Sequence, residues 1–122
     1  MLGRSPTPNR APKARIMHRI EIAGFSKTPV GRYRTDGPSS GQRFREEVLL
    51  PAINAGQKVE IVLDGVAGLP PSFLDEAFGG LVRKGHIARE SLKGQLLIRY
   101  SNPEFARYER AIWAYIDRAK PD

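Results

Sequence analysis

The chain has 122 residues, with 20 lysines and arginines against 13 acids and no cysteine, for a formal net charge of +7. That length builds one domain around a single core, and without cysteine neither a disulfide, a thiolate metal site nor a thiol nucleophile can form. No apolar run approaches the ~20 residues that span a bilayer, and the start lacks the hydrophobic centre of a signal peptide; a cytoplasmic protein without membrane contact is the expectation.

The charge is unevenly spread. Arg4, Arg10, Lys13, Arg15 and Arg19 precede the first acid, and the rest carries 15 basic and 13 acidic side chains, near +2. Residues 1–15, with Pro6, Pro8 and Pro12, read as a basic, proline-rich, disordered leader, and residues 16–122 as one domain. Such an arm attracts polyanions by counterion release, although no aromatic is interleaved to stack on bases.

Ile16 to Ile22 alternates roughly and reads as a first strand ended by Gly24. Residues 25–41 are dense in Gly, Pro and Ser, and within them Gly31-Arg32-Tyr33-Arg34 reads as a short strand with both arginines on one face. A helix opens at Ser39 or Ser40, Ser39 with Gln42 forming a capping-box pattern. Phe44, Val48, Leu49, Ala52 and Ile53 give it a core face, Pro51 predicts a kink or break, and Gly56 a stop. Val59 to Val66 is a Val/Ile-rich run ended by Asp64-Gly65, the signature of a strand covered on both faces.

Ser72 with Asp75 is a second capping-box pattern, opening a helix whose stripe is Phe73, Leu74, Ala77, Phe78, Leu81 and Val82. Gly79 and Gly80 each cost roughly 1 kcal/mol of helix propensity, which close approach of another backbone would explain. Arg83, Lys84 and Gly85 suit the helix end. Gln95 to Tyr100 is the last strand, and Asn102-Pro103 starts a final helix with Phe105, Tyr108, Ile112, Tyr115, Ile116 and Ala119 inward. The order is strand, strand, helix, strand, helix, strand, helix: an α/β domain with a small, mostly parallel sheet of about four strands and helices packed on it.

Two places carry candidate chemistry. Ser72 stands at a strand-to-helix junction. As a nucleophile it lacks a Gly-x-Ser-x-Gly elbow, and the only histidines, His18 and His86, lie in no motif. As a phosphoacceptor it sits where a helix start holds phosphate and where Asp75 and Glu76 oppose it, the makings of a switch; as a plain N-cap it is worth ~1 kcal/mol. The second place combines Arg32, Arg34, Asp36, Gly37, Ser39, Ser40 and Gly41 with Arg43 and Arg45 just inside the helix, the ingredients of an anion or partner site; the alternative is a flexible hairpin whose arginines face solvent or pair with Asp36 and Glu46. The lysine and glycine spacing of a P-loop is missing. Two isolated histidines and adjacent Asp75-Glu76 make no metal shell, and no facing carboxylates suggest acid–base catalysis. No catalytic residue, metal or cofactor is therefore expected.

The segment from Gly31 to Glu47 and the run from Val59 to Leu81 together resemble the bacterial STAS-like domains of unknown function. Those domains show a Gly-x-x-x-Asp-Gly-x-x-Ser-Gly-x-x-Phe-Arg segment, a Leu-Asp-Gly strand end and a Ser-Phe-x-x-Glu-x-Phe-Gly helix start, carried here by Ser72, Phe73, Glu76, Phe78 and Gly79. The resemblance covers about residues 25–100 and implies a fold similar to the anti-sigma factor antagonists. In those proteins a serine at the matching helix start is phosphorylated by a partner kinase, and the unphosphorylated form binds that partner. Ser72 matches it by position, although Pro70-Pro71-Ser72-Phe73 stands in place of the antagonists' Asp-Ser-Ser-Gly.

What the resemblance implies is a non-enzymatic signalling domain whose protein partner, by association of such domains, is an ATPase of the histidine-kinase type. Its binding would be switched at Ser72, with Arg32, Arg34, Asp36, Gly37, Ser39, Ser40, Gly41, Arg45, Asp75 and Glu76 forming the partner face. The other expectations from the residues are a nucleic-acid-associated basic protein and a small-anion or nucleotide binder at the Ser39–Gly41 helix start.

Overall fold

The computed structural model describes residues 17–122, so the basic leader and Ile16 lie outside the described residues. Three strands, β1 (Met17–Glu21), β2 (Lys58–Val62) and β3 (Leu96–Arg99), form a sheet of order β1-β2-β3. Both pairings are parallel, His18 beside Val59 beside Leu96, and Ile20 beside Ile61 beside Ile98. Five helices connect and cover them: α1 (Ile22–Phe25), α2 (41–54), α3 (71–83), α4 (Arg89–Gln95) and α5 (Ala106–Arg118).

The core gathers on one face of the sheet. Ile20, Val59, Ile61 and Leu96 join Phe44 and Leu49 of α2, Phe73 and Phe78 of α3, and Ile112 and Ile116 of α5 in one buried cluster. Phe44 sits at its centre, with ring centroids 5.0 Å from Phe25, 5.6 Å from Phe73 and 6.3 Å from Phe78. Period-two alternation sends the intervening residues to the opposite face. There Glu60 lies between Arg19 and Arg99 and pairs with both, and Leu97 is exposed. The central strand is therefore not wrapped by helices on both sides as its apolar run predicts. Only Val62 is buried on the second face, outside the main cluster.

The expected strand at 31–34 is absent, which reduces the sheet to three strands. Gly31 takes a left-handed φ of 97°, and the Asp36 carboxylate accepts the N–H groups of Arg32 and Tyr33 at 3.1 and 2.8 Å. Those are donors that a strand would offer a neighbour. The chain instead closes a 3₁₀ turn over Arg34–Asp36.

Helices α2 and α3 each contain a π turn, Arg45–Leu49 and Asp75–Gly79. In α2 the Leu50 N–H bonds to the Arg45 carbonyl, five residues back, just before Pro51. The wider turn accommodates a residue with no N–H and a ring that would crowd the preceding carbonyl. The helix continues to Asn54 and stops at Gly56, whose φ is 82°. Gly85 (φ 74°) closes α3 in a Schellman arrangement, its N–H on the Val82 carbonyl and the His86 N–H on Leu81. Asn102 caps the 3₁₀ turn Pro103–Phe105 that leads into α5, its side chain accepting the Glu104 N–H.

Helices α2 and α3 touch backbone to backbone. A Cβ on Gly41 would stand 2.5 Å from the Phe73 carbonyl oxygen and 3.1 Å from the Ala77 nitrogen. This crossing carries the start of α2 and the loop before it onto the first turns of α3. It also brings together the two segments singled out in the sequence.

Candidate functional site

Loop 31–40 is fastened to α2 by the backbone. Gly41 and Gln42 donate their N–H groups to the carbonyls of Gly31 and Arg32 at 3.0 and 2.9 Å. The Arg34 N–H reaches the Gln42 side chain at 2.9 Å. Ser40, fully buried, is the N-cap of α2 and accepts the Arg43 N–H at 3.2 Å. Ser39 does not cap; its hydroxyl accepts the Val30 N–H.

This corrects the Ser39–Gln42 capping box and the anion site expected at Ser39–Gly41. The first three N–H groups of the helix are spent on the protein's own oxygens, and a helix start holds an anion through free donors. Gly41 is there for the helix crossing, and Gly37 turns the chain at φ 144°.

From this loop Arg32 reaches across to α3. Its Nη1 donates to Asp75 Oδ2 at 2.8 Å and to Glu76 Oε1 at 3.5 Å. Arg83, two turns further along α3, reaches the same two carboxylates at 3.3 and 3.2 Å. Behind them lies a buried pair: Arg45 and Glu76, each 2% exposed, joined by Nη1 to Oε2 at 2.7 Å and to the Glu76 carbonyl at 2.6 Å. Gly80 makes the seat for this guanidinium, because any Cβ there would meet Arg45 Nη1. Arg45 Nε is the one buried side-chain polar atom among the described residues without a partner.

Three arginines thus converge on two carboxylates across the α2–α3 crossing. Burial pushes the Asp75 carboxyl up, but the hydrogen bond from Arg32 and the charge of Arg83 outweigh it and hold the group below the usual carboxylate range. The hydrogen bond to Asp75 in turn raises the Arg32 guanidinium.

A second, exposed network lies alongside. Arg34 grips Glu46 and Glu47 at 2.9 and 2.8 Å, and Arg43 holds Glu47 at 3.0 Å while covering the Phe25 ring. Glu47 is pulled down by its hydrogen bonds from Arg34 and Arg43. Arg32, Arg34, Arg43 and Arg45 are therefore all engaged by carboxylates, and none of them presents a free cation to a nucleic acid or nucleotide.

Ser72 is half-buried in the first turn of α3, one helical turn from Asp75 and Glu76. It is not the N-cap: Pro70 occupies that position, and no side chain caps this helix start. The Ser72–Asp75 box fails because Asp75 turns to Arg32 and Arg83. Of the expected site residues, Arg32, Arg45, Asp75 and Glu76 form the cluster, and Ser72 flanks it by helical spacing. Arg34, Asp36, Gly37, Ser39, Ser40 and Gly41 build and anchor the loop that delivers Arg32. The expected partner face is corrected at Ser40, Gly41, Arg45 and Glu76, which are buried in the α2–α3 crossing and cannot meet a partner.

Sequence reasoning missed Arg83, read as a helix-end charge, and Gly80, read as a backbone approach. The signal for Arg83 was its spacing of seven and eight residues from Glu76 and Asp75, two turns along one face. Gly79 does meet a neighbouring backbone, a Cβ there lying 3.2 Å from the Tyr115 carbonyl of α5. Among the described residues no group of three or more His, Cys, Asp or Glu is placed to hold a metal ion. No helix among them is long and apolar enough to cross a membrane.

The site is thus a charged cluster over the helix that follows the central strand of a parallel sheet. The chain belongs to the family described as STAS-like domain of unknown function (DUF4325), whose model matches residues 40–104. The match runs from the Ser40 cap to the 3₁₀ turn before α5 and takes in Arg45, Ser72, Asp75, Glu76, Gly80 and Arg83. Arg32 and its loop lie just before it. No curated protein and no solved structure gives a match.

Proposed function

We propose that this domain is a protein-interaction module without chemistry of its own, working in the cytoplasm, and that charge at Ser72 controls its binding. The working face combines the Arg32–Gly41 loop with the first turns of α3. One observation carries the reading: the Arg32–Asp75 contact at 2.8 Å ties that loop to α3 one helical turn from Ser72.

A phosphate on Ser72 adds roughly −1.5 to −2 charges and three acceptor oxygens. Placed three and four residues before Asp75 and Glu76, it repels both carboxylates and competes with them for Arg32. Arg32 transferring to the phosphate drags the loop with it. The face a partner meets is then a different one.

A kinase-type ATPase is the natural partner class, since it both binds and modifies such a serine in the antagonists this domain resembles. The test is capture of the partner from the native host by the wild-type chain, identification by mass spectrometry, and measured affinity for Ser72→Ala, Ser72→Asp and chemically phosphorylated Ser72. Phosphorylated chain is expected to bind at least about tenfold more weakly, a difference of 1.4 kcal/mol. Equal affinity for all four forms removes the switch.

A further inference from the structure

Every arginine from Arg19 to Arg99 is held by a carboxylate or, for Arg89, by the carbonyls of Ile116 and Ala119. On α5 the pattern breaks. Among the described residues Arg107, Arg110 and Arg118 pair with no carboxylate, and residues 1–16 contain none that might serve. Glu104, one turn before Arg107, makes no ion pair with it. Arg107 lies over the Tyr108 ring at 4.8 Å and Arg118 over Tyr115 at 5.0 Å.

Those two tyrosines line an apolar hollow. Between the start of α3 and α5, Leu69, Pro71, Leu74 and Ala111 join them around a cavity of 380 Å³ with Arg107 at its rim. A second hollow of 520 Å³ continues from it, sharing Leu69 and Tyr108 and reaching Val30, which is 57% exposed. End to end they make a groove along Pro70-Pro71, on the flank of the Ser72 helix start.

An apolar trough with Arg107 at its rim, unpaired with any carboxylate, and Arg118 stacked on its lining Tyr115 is complementary to one kind of occupant: an acidic chain with aliphatic side chains. Arg107 donates one Nη2 N–H to the Tyr108 hydroxyl at 3.0 Å, which leaves its remaining N–H groups for a carboxylate. The same stacking covers a ring face that a nucleic-acid base would need. We propose that the groove between α3 and α5 docks an extended acidic segment of a protein partner, an aliphatic side chain seated between Leu69 and Tyr108 and a carboxylate on Arg107. The groove deepens the interaction-module reading and rests on it, but needs no modification of Ser72.

The test is titration of the ¹⁵N-labelled, unmodified full chain with acetyl-Glu-Leu-Pro-Glu-Leu-Glu-amide. Shifts are expected at Leu69, Ala111 and Tyr115. Peptides with serine for leucine, or lysine for glutamate, should bind at least about tenfold more weakly. Arg107→Glu, an exposed position whose change leaves the spectrum folded, should reverse the preference toward the lysine peptide. Three results overturn the groove: no shift there at millimolar probe, an equal response to all three peptides, or displacement of the acidic peptide by a short oligothymidine. Because the chain is unmodified throughout, a missing Ser72 switch leaves this readout unchanged, and a silent groove leaves the switch standing.

Discussion

Arg45 and Glu76 show what one residue can cost. Both are almost wholly enclosed, and Arg45 Nε already lacks a partner. Removing the Glu76 carboxylate strands a buried guanidinium, so Glu76→Ala should lose about 3–5 kcal/mol of stability by urea unfolding. Replacing both members, Arg45→Met with Glu76→Leu, should recover most of that loss, because a well-packed apolar pair needs no desolvation of charge. A single substitution costing under ~1 kcal/mol would show that the pair is solvated in a way its burial denies.

Asp75 gives the pH dependence. Its folded pKa lies below its ordinary value, so its contribution is fully present above the unfolded carboxylate pKa near 3.9 and is lost as pH falls through the folded value. Asp75→Asn should therefore be less stable than wild type at pH 7 by about 1 kcal/mol. Thermal unfolding should show that gap closing below about pH 4. A gap that persists or widens in acid contradicts the ion-pair account of Arg32.

At the scale of elements, the α2–α3 crossing makes the site. Gly41→Ala puts a methyl against the Phe73 carbonyl and should cost about 1–3 kcal/mol through overpacking. Gly24→Ala, on α1 with nothing within 4 Å of its new Cβ, should leave the unfolding midpoint unchanged or slightly raised. Equal effects of the two would mean that the crossing is looser than its backbone contact indicates.

Elements whose signal is local were legible in the sequence. The strand at 59–62, the Gly56 and Gly85 stops and the Asn102-Pro103 start each follow from a few adjacent residues. The misread elements depend on partners distant in space or on subtle turn chemistry. Residues 31–34 alternate like a strand, yet Asp36 captures their N–H groups. Helix α4 carries Gly94 and Leu92 as its one buried residue, so no apolar stripe announced it. The π turns left only Pro51 and the Gly79-Gly80 pair as traces. Within the site, the pairing of a loop arginine with Glu46 was legible as an alternative and the pairings with Asp75 and Glu76 were not: an arginine-rich loop reads as a cation source until its carboxylates are seen across the helix crossing.

For the molecule as a whole, the helices gather the core on one face of a three-stranded sheet, and the chemistry lies at one end of it. A salt-bridged loop, a serine-bearing helix start and a groove with Arg107 at its rim share that end. The family match covers the cluster on α2 and α3, while Arg32 and α5 flank it on either side in sequence. On the proposed reading the domain is a scaffold that presents a charge-gated surface, with its fixed part in α2 and α3 and its adjustable part in the loop.

The most direct measurement of that gating is amide hydrogen exchange at Gly41 and Gln42, whose N–H groups hold the carbonyls of Gly31 and Arg32. With Ser72 phosphorylated, Arg32 should leave Asp75 and both amides should exchange at least about tenfold faster, while Ile61 in the central strand keeps its protection. Unchanged exchange at Gly41 and Gln42 in the fully phosphorylated chain would contradict the claim that charge at Ser72 releases the loop.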